Sequence, residues 1–330
     1  MKILFFSAQP YDKAFFTQFN HSGLELKFLE TSLNEHTTDL IRDADAVCVF
    51  VNDKVNSAVI EQLAAKNVKI IALRCAGFNN VDLESARANG IRVCRVPAYS
   101  PEAVAEHAVA MLLTLNRKTH KAYNRVREQN FSLNGLLGHN LHGKTVGIIG
   151  TGNIGQAFAK IMLGFGCRVL AFDLIANRDL TQAGVDYQPL TEVLKADIIS
   201  LHCPLNEQTK YLINASTIAM MKKGVVLINT SRGGLIDTDA AIQALKSEQI
   251  GSLGIDVYEQ EEKLFFRDLS EDIIQDDTIQ RLMSFPNVLI TAHQAFFTEE
   301  ALSQIATTTL NNIEYLLKSK ELLPQAALLV

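Results

Sequence analysis

The chain has no excess of positive charge: 31 Lys and Arg stand against 36 Asp and Glu in 330 residues, a net charge of −5. That balance excludes the basic footprint that nucleic acid or an anionic membrane surface selects, so neither is expected as a partner. Its densest basic cluster, Arg117-Lys118-Thr119-His120-Lys121, reads as a solvated helix end. No apolar run approaches the ~18–20 residues needed to cross a bilayer. The opening MKILFFSAQPYDK has too short an apolar stretch for a secretion signal and no small-x-small cleavage site, so it reads as a first strand. Cysteine is scarce and unpaired: Cys48, Cys75, Cys94, Cys167 and Cys203 are widely spaced and form no CxxC. That excludes a disulfide framework and points to buried thiols in a reducing cytoplasm. No metal site, internal repeat or low-complexity segment is expected.

What is present is an ordinary globular mixture, 48% hydrophobic and 20% charged, long enough for two domains. Short apolar runs alternate with helical patterns in two series. The first comprises residues 2–7, 24–29, 46–51, 68–73 and 91–96, with helices expected near 57–66 and 82–89, the latter closed by Gly90. Ser100-Pro101-Glu102 then opens a long helix, whose Val104, Ala105, Ala108, Met111, Leu112 and Leu115 recur at helical spacing. The second series comprises 144–150, 167–172, 196–202, 224–229, 251–256 and 287–292, and an amphipathic helix over 299–317 ends the chain. Alternation with β-branched cores predicts an α/β fold of two doubly wound parallel-sheet domains. Residues 1–99 with 298–330 are expected to form a discontinuous first domain, into which a Rossmann domain, 100–297, is inserted.

The second series begins with VGIIGTGNIGQA, an apolar strand running into Gly150-x-Gly152-x-x-Gly155. Here Gly150 permits a tight turn, Gly152 lets backbone approach a pyrophosphate, and Gly155 allows close helix–strand packing. The helix that follows, expected over Gln156–Gly164, offers free N–H groups and a positive dipole end to phosphates. Asp173 ends the next strand, where a carboxylate accepts from the adenosine ribose hydroxyls and repels a 2′-phosphate. The cofactor expected is NAD(H), although Arg178 lies close in sequence.

Chemistry beside a nicotinamide needs a proton donor and a substrate anchor at the C-terminal ends of these strands. Three stretches qualify: NTSRGG with Arg232, GIDVYEQE with Asp256 and Glu261, and TAHQAFF with His293. Each also has a plain structural reading, Arg232 tying a loop, Asp256 capping a helix, Glu261 in a charged run and His293 packing. His202, at a strand end, is the rival histidine, while His107 lies within the long helix.

The order and spacing of Arg232, Asp256, Glu261 and His293 behind a mid-chain glycine turn resemble the D-isomer-specific 2-hydroxyacid dehydrogenases, closest to their bacterial fermentative D-lactate branch. The resemblance runs over essentially the whole chain. It is carried by ALRCAGFNNVD (72–82), VPAYSPEAVAEHA (96–108), GTGNIG (150–155), SLHCPL (200–205), NTSRGG (229–234), GSLGIDVYE (251–259), DDTIQRL (276–282) and HQAFFTEEAL (293–302). Asn153, often basic in close relatives, is a minor departure.

The resemblance implies a flavodoxin-like substrate domain and a set of site roles. His293 is the acid/base, Glu261 its partner and Arg232 the anchor, while the amides of Ala76 and Gly77 hold the substrate carboxylate. A carboxylate beside an imidazole favours its protonated form, which suits a proton donor. Tyr99 and Phe296 crowd the substrate side chain, favouring pyruvate and D-lactate. Asp256 is implied to contact the nicotinamide ribose, and Asn153, Ile154, Cys203, Pro204, Thr209, Thr230 and Ser231 to line the cofactor site. A broader range of 2-oxoacids, or an NAD-sensing corepressor on the same fold, are the competing functions. An isologous homodimer, or a tetramer of such dimers, is expected, with the long helix and loop 131–143 as its arm.

Overall fold

The computed structural model describes residues 1–318 and 327–330; residues 319–326, in the tail expected to belong to the first domain, and the side chain of Lys263 lie outside the described residues. The chain folds into two compact units, Met1–Ser100 with Phe297–Val330, and Pro101–Phe296.

The first unit is built on β1 (Lys2–Phe5), α1 (Pro10–Gln18), β2 (Glu25–Phe28), β3 (Ala46–Val49), α2 (Ser57–Ala65), β4 (Ile70–Leu73), α3 (Leu83–Ala88) and β5 (Arg92–Arg95). Its five strands are all parallel, in the order β2-β1-β3-β4-β5, the flavodoxin-like arrangement. Every residue of β3 and β4 is buried, which is why these strands read as unbroken apolar runs rather than as alternation. Helix starts are locally encoded: Asn56 and Asp82 accept hydrogen bonds from the amides of Val59 and Ser85. Gly90, at φ +68°, takes the left-handed conformation that closes α3. The C-terminal helix Glu299–Lys318 returns to this unit and buries Ala301, Leu302, Ile305, Ala306, Leu310 and Ile313.

The second unit opens with α4 (Pro101–Arg117) and α5 (Thr119–Arg127), followed by β6 (Thr145–Ile149), α6 (Asn153–Gly164), β7 (Arg168–Phe172), α7 (Arg178–Gln182), β8 (Asp186–Tyr187), α8 (Leu190–Val193) and β9 (Ile198–Leu201). It continues through α9 (Ala215–Ala219), β10 (Val225–Asn229), α10 (Thr238–Lys246), β11 (Ile250–Ile255), α11 (Asp277–Met283) and β12 (Val288–Ile290). Seven parallel strands run in the order β12-β11-β10-β9-β6-β7-β8, so the direction of winding reverses between β9 and β6, the usual ligand-binding point of such sheets.

Two expectations need correction. The helix after the glycines starts at Asn153, not Gln156, because Gly152 itself serves as its N-cap. The long helix is not a free arm: Ala105, Ala108, Val109, Met111, Leu112 and Leu115 are buried in the core of its own unit, with Val146, Ile148 and Phe158. Lys118, at φ +51°, breaks that helix, and α5 beyond it buries nothing. The surplus apolar surface lies further on, at Tyr123, Val126, Phe131, Leu133 and Leu137, all exposed.

Candidate active site

The glycine turn is dictated by close approaches. Gly150 has φ +95°, and a Cβ there would sit 2.6 Å from the amide nitrogen of Cys203. A Cβ on Gly155 would lie 2.0 Å from the carbonyl oxygen of Gly150, so nothing larger fits between helix and turn. Gly152 is different, since a Cβ there meets nothing within 4 Å. The space over Gly152, at the N-terminus of α6, is therefore open to a ligand. Asn153 and Ile154 form the first turn of that helix.

An open pocket of about 490 Å³ adjoins the turn, lined by Thr151, Gly152, Asp173, Ile175, Ala176, Asn177, Arg178 and Asp179. Asp173 Oδ2 accepts from the amide (2.5 Å) and hydroxyl (3.0 Å) of Thr151. Burial pushes the Asp173 carboxyl up, but the Thr151 donors and the Ile175 and Leu174 amides outweigh it and hold it below the usual carboxylate range. Tyr187 braces two of the lining residues: its hydroxyl donates to Thr151 Oγ1 (2.9 Å) and accepts from the Asn177 amide (3.0 Å). Neither Thr151 nor Tyr187 carries a motif signal, and both were missed from the sequence.

Across the sheet reversal, Ser231 Oγ donates to the Cys203 carbonyl at 2.7 Å, and Thr209 Oγ1 to the Pro204 carbonyl at 2.6 Å. The loops after β9 and β10 are thus tied together. Thr230 is buried, and its Oγ1 has no hydrogen-bond partner among the described residues. His202 packs against Phe158, ring centroids 4.9 Å apart, with its Nδ1 buried and without a partner among the described residues. Burial pulls its pKa down to about 3, so the ring stays neutral at ordinary pH. A ring held neutral is the poorer proton donor of the two candidates.

The remaining candidates converge at the ends of β10, β11 and β12. Arg232 follows β10, and its Nη1 donates to the Ser231 carbonyl at 2.7 Å. Gly233 lets this turn press on the loop after β11, because a Cβ there would lie 2.2 Å from the Tyr258 carbonyl carbon. In that loop Glu261 accepts from the Tyr258 amide through Oε2 (3.0 Å) and meets His293 Nδ1 through Oε1 at 2.7 Å. The side chains of His293 and Glu261 remain 17% and 20% exposed, so the pair is desolvated yet reachable. Because Nδ1 faces a carboxylate it carries the proton there, leaving Nε2 to face a substrate. His293 sits at φ +51°, held by a 2.7 Å hydrogen bond from its amide to the Asp256 carbonyl.

Asp256 directly follows β11. Its side chain is fully buried, with Oδ1 accepting from Thr291 Oγ1 (2.5 Å) and the Gln294 amide (2.9 Å), and Oδ2 from the Ala295 amide (2.9 Å). The carboxylate is thus bound to the segment that carries His293. Burial pushes it up, but donors from His107, Thr291, Ala295 and Gln294 win and hold it below the usual carboxylate range. Phe296 is buried at the end of the same segment. In the first unit Ala76 and Gly77 follow β4, where Arg95 Nη1 donates to the Ala76 carbonyl at 2.8 Å. Among the described residues no hydrogen bond engages the amide of Ala76 or Gly77. Tyr99 lies at the end of that unit's first segment and is partly buried. No cluster of three metal-ligating side chains occurs among the described residues. No helix there is long and apolar enough to cross a membrane.

This arrangement, a glycine turn with its acidic neighbour and a His–Glu pair beside an Arg turn, meets its counterpart in known proteins. Residues 109–295 match the model of the D-isomer specific 2-hydroxyacid dehydrogenase, NAD binding domain. The chain is 56% identical over 316 residues to 2-hydroxyacid dehydrogenase homolog 1 of Schizosaccharomyces pombe, covering 95% of each. It is 52% identical over 322 residues to the D-lactate dehydrogenase of Escherichia coli, covering 97% of this chain and 98% of that one. The apo-structure of D-lactate dehydrogenase from Escherichia coli superposes on all of both chains with a TM-score of 0.91 and 49% identity. The chain therefore belongs to the D-isomer specific 2-hydroxyacid dehydrogenases, NAD-dependent oxidoreductases.

Proposed function

We propose that the chain reduces pyruvate to D-lactate, reversibly, with His293 as the acid/base. The observation that carries this reading is the 2.7 Å pairing of His293 Nδ1 with Glu261 beside the Arg232 turn. The residues present fit NAD: the clear space over Gly152 suits a pyrophosphate at the start of α6, and the charged Asp173 suits unmodified ribose hydroxyls. The unpartnered Thr230 hydroxyl is a further donor on that side. When bound, the reduced nicotinamide supplies a hydride to the carbonyl carbon of the substrate. His293 supplies the proton to the carbonyl oxygen from Nε2, while Glu261 fixes the ring and offsets its charge. In the reverse direction neutral His293 removes the hydroxyl proton. Arg232 anchors the substrate near its carboxylate and stabilises negative charge growing on the carbonyl oxygen. Phe296 is the ring of this unit that restricts the substrate side chain.

The experiment is to mix the protein with NADH and pyruvate and follow the nicotinamide absorbance. Rapid loss of NADH with D-lactate as the only lactate enantiomer is expected. Faster turnover of glyoxylate, hydroxypyruvate or a larger 2-oxoacid would make it a broader enzyme, as the name of the Schizosaccharomyces relative allows. NADH binding with no turnover of any 2-oxoacid would favour the NAD-sensing role.

We also place the enzyme in the cytoplasm as a homodimer, joined through α5 and loop 131–143. Five exposed apolar side chains there, Tyr123, Val126, Phe131, Leu133 and Leu137, support the interface. Phe131→Ser with Leu137→Ser should lower the molar mass read by light scattering, and an unchanged mass would place the interface elsewhere.

A further inference from the structure

His107 stands beside the segment that carries His293, the reaction as proposed does not use it, and its surroundings point to a task. It lies on α4, one turn before Met111, so the two side chains share a face of the helix. On β11 and just beyond it, Gly254 and Asp256 share a face of the strand in the same way. A turn of helix advances about 6 Å and two strand residues about 6.6 Å, so the two pairs can lie in register. Gly254 is what lets helix and strand approach: a Cβ there would lie 3.1 Å from Leu115 Cδ1 and 3.5 Å from Met111 Cε. His107 Nε2 consequently reaches to 3.0 Å from Thr291 Oγ1 and 3.4 Å from Asp256 Oδ1.

The protons in this cluster can be assigned. Thr291 Oγ1 lies 2.5 Å from Asp256 Oδ1, a separation that requires its single hydroxyl proton to point at the carboxylate. Thr291 Oγ1 can then only accept from His107, so Nε2 carries a hydrogen. A carboxylate removed from water needs all of these donors. Three of Asp256's four come from Thr291, Gln294 and Ala295, the segment that holds His293; the fourth is His107, from a different element. That segment must also hold His293 at φ +51°, a conformation that non-glycine residues keep only when their surroundings enforce it.

We propose that His107 is a positioning residue: by donating from Nε2 into the Thr291–Asp256 pair, it fixes the turn that presents His293 to Glu261. This rests on His293 being the acid/base. Arg232 sits on a separate loop, so loss of His107 should reach proton transfer and leave substrate anchoring alone.

The test compares His107→Leu, His107→Gln and Thr291→Val with His293→Ala. The first should lower kcat with pyruvate about tenfold to a hundredfold, with KM moving less than about threefold, as expected for a hydrogen bond to a charged group that acts through another residue. His107→Gln, whose amide can donate in place of Nε2, should recover most of the loss. Thr291→Val, which cuts the same link from the other side, should repeat the kcat–KM split. Hydrogen exchange at the amides of 293–295 should be faster in His107→Leu than in the parent, with NADH affinity unchanged. Unchanged kcat and exchange in His107→Leu, or equal losses in the Leu and Gln variants, would overturn the proposal. If His107→Leu fails to bind NADH, the Gln and Val variants decide it by the same criteria. Full turnover in His293→Ala would instead sink the acid/base reading.

Discussion

Replacing His293 with alanine should cut kcat with pyruvate by the ~10²–10⁴-fold typical of losing a general acid, with NADH still bound. Binding should survive because the glycine turn and Asp173 stand at other strand ends. The backbone complicates a single substitution here. His293 is at φ +51°, and alanine at such a position would strain the turn for reasons unrelated to proton transfer. Asparagine tolerates the left-handed region, so His293→Asn keeps the turn while removing the imidazole. Both variants should lose turnover to a similar degree. If His293→Asn retains more than about a tenth of parental kcat, far above the remainder left by losing a general acid, another group supplies the proton. His202 is a poor candidate for that group, since burial favours its neutral ring.

Asp173→Ser should weaken NADH by roughly ten- to a hundredfold, the range expected for losing charge-assisted hydrogen bonds to the ribose. NADPH should lose little or gain, so the preference between the two collapses. The negative charge that repels a 2′-phosphate is gone in this variant, while Arg178 remains in the same pocket wall. The sign with pH follows from the lowered carboxyl. Asp173 stays charged above the ordinary carboxylate range, so the parent's preference should hold through neutral pH and fade only in strong acid. Fluorescence titration of each nucleotide reads the ratio directly. An unchanged NADH-to-NADPH ratio in Asp173→Ser would mean that the ribose is recognised elsewhere.

Much of this site was legible because its signals are local. A glycine that must adopt φ +95°, or that a neighbouring carbonyl crowds, leaves a fixed mark in the sequence. A reactive residue placed just after an apolar strand is marked by the strand itself, which is how Arg232 and His293 could be picked out. Asp173 was found in the same way, but Thr151 and Tyr187, which hold it, were not. Their hydroxyls matter only because β8, a two-residue strand too short to show periodicity, runs beside β7.

Asp256 shows what a local signal leaves out. Its place at a strand end marked it as a site candidate, but not which donors would surround its carboxylate. Those donors come from a segment some 35 positions later and from a helix far earlier in the chain. The apolar face of α4 misled in a similar way: periodicity shows that a face will be buried, but not against what.

The sequence by itself determined the two α/β series, the glycine turn with its acidic neighbour, and the Arg–Glu–His set. All of these follow from short-range periodicity, special backbone conformations and residue chemistry. Only the tertiary structure decided that Glu261 and His293 meet at 2.7 Å, that His202 is locked neutral, and that Asp256 and His107 stand behind the turn of His293. Burial and hydrogen-bond partnership are set by residues brought together from distant parts of the chain, and no local pattern records which of them will meet.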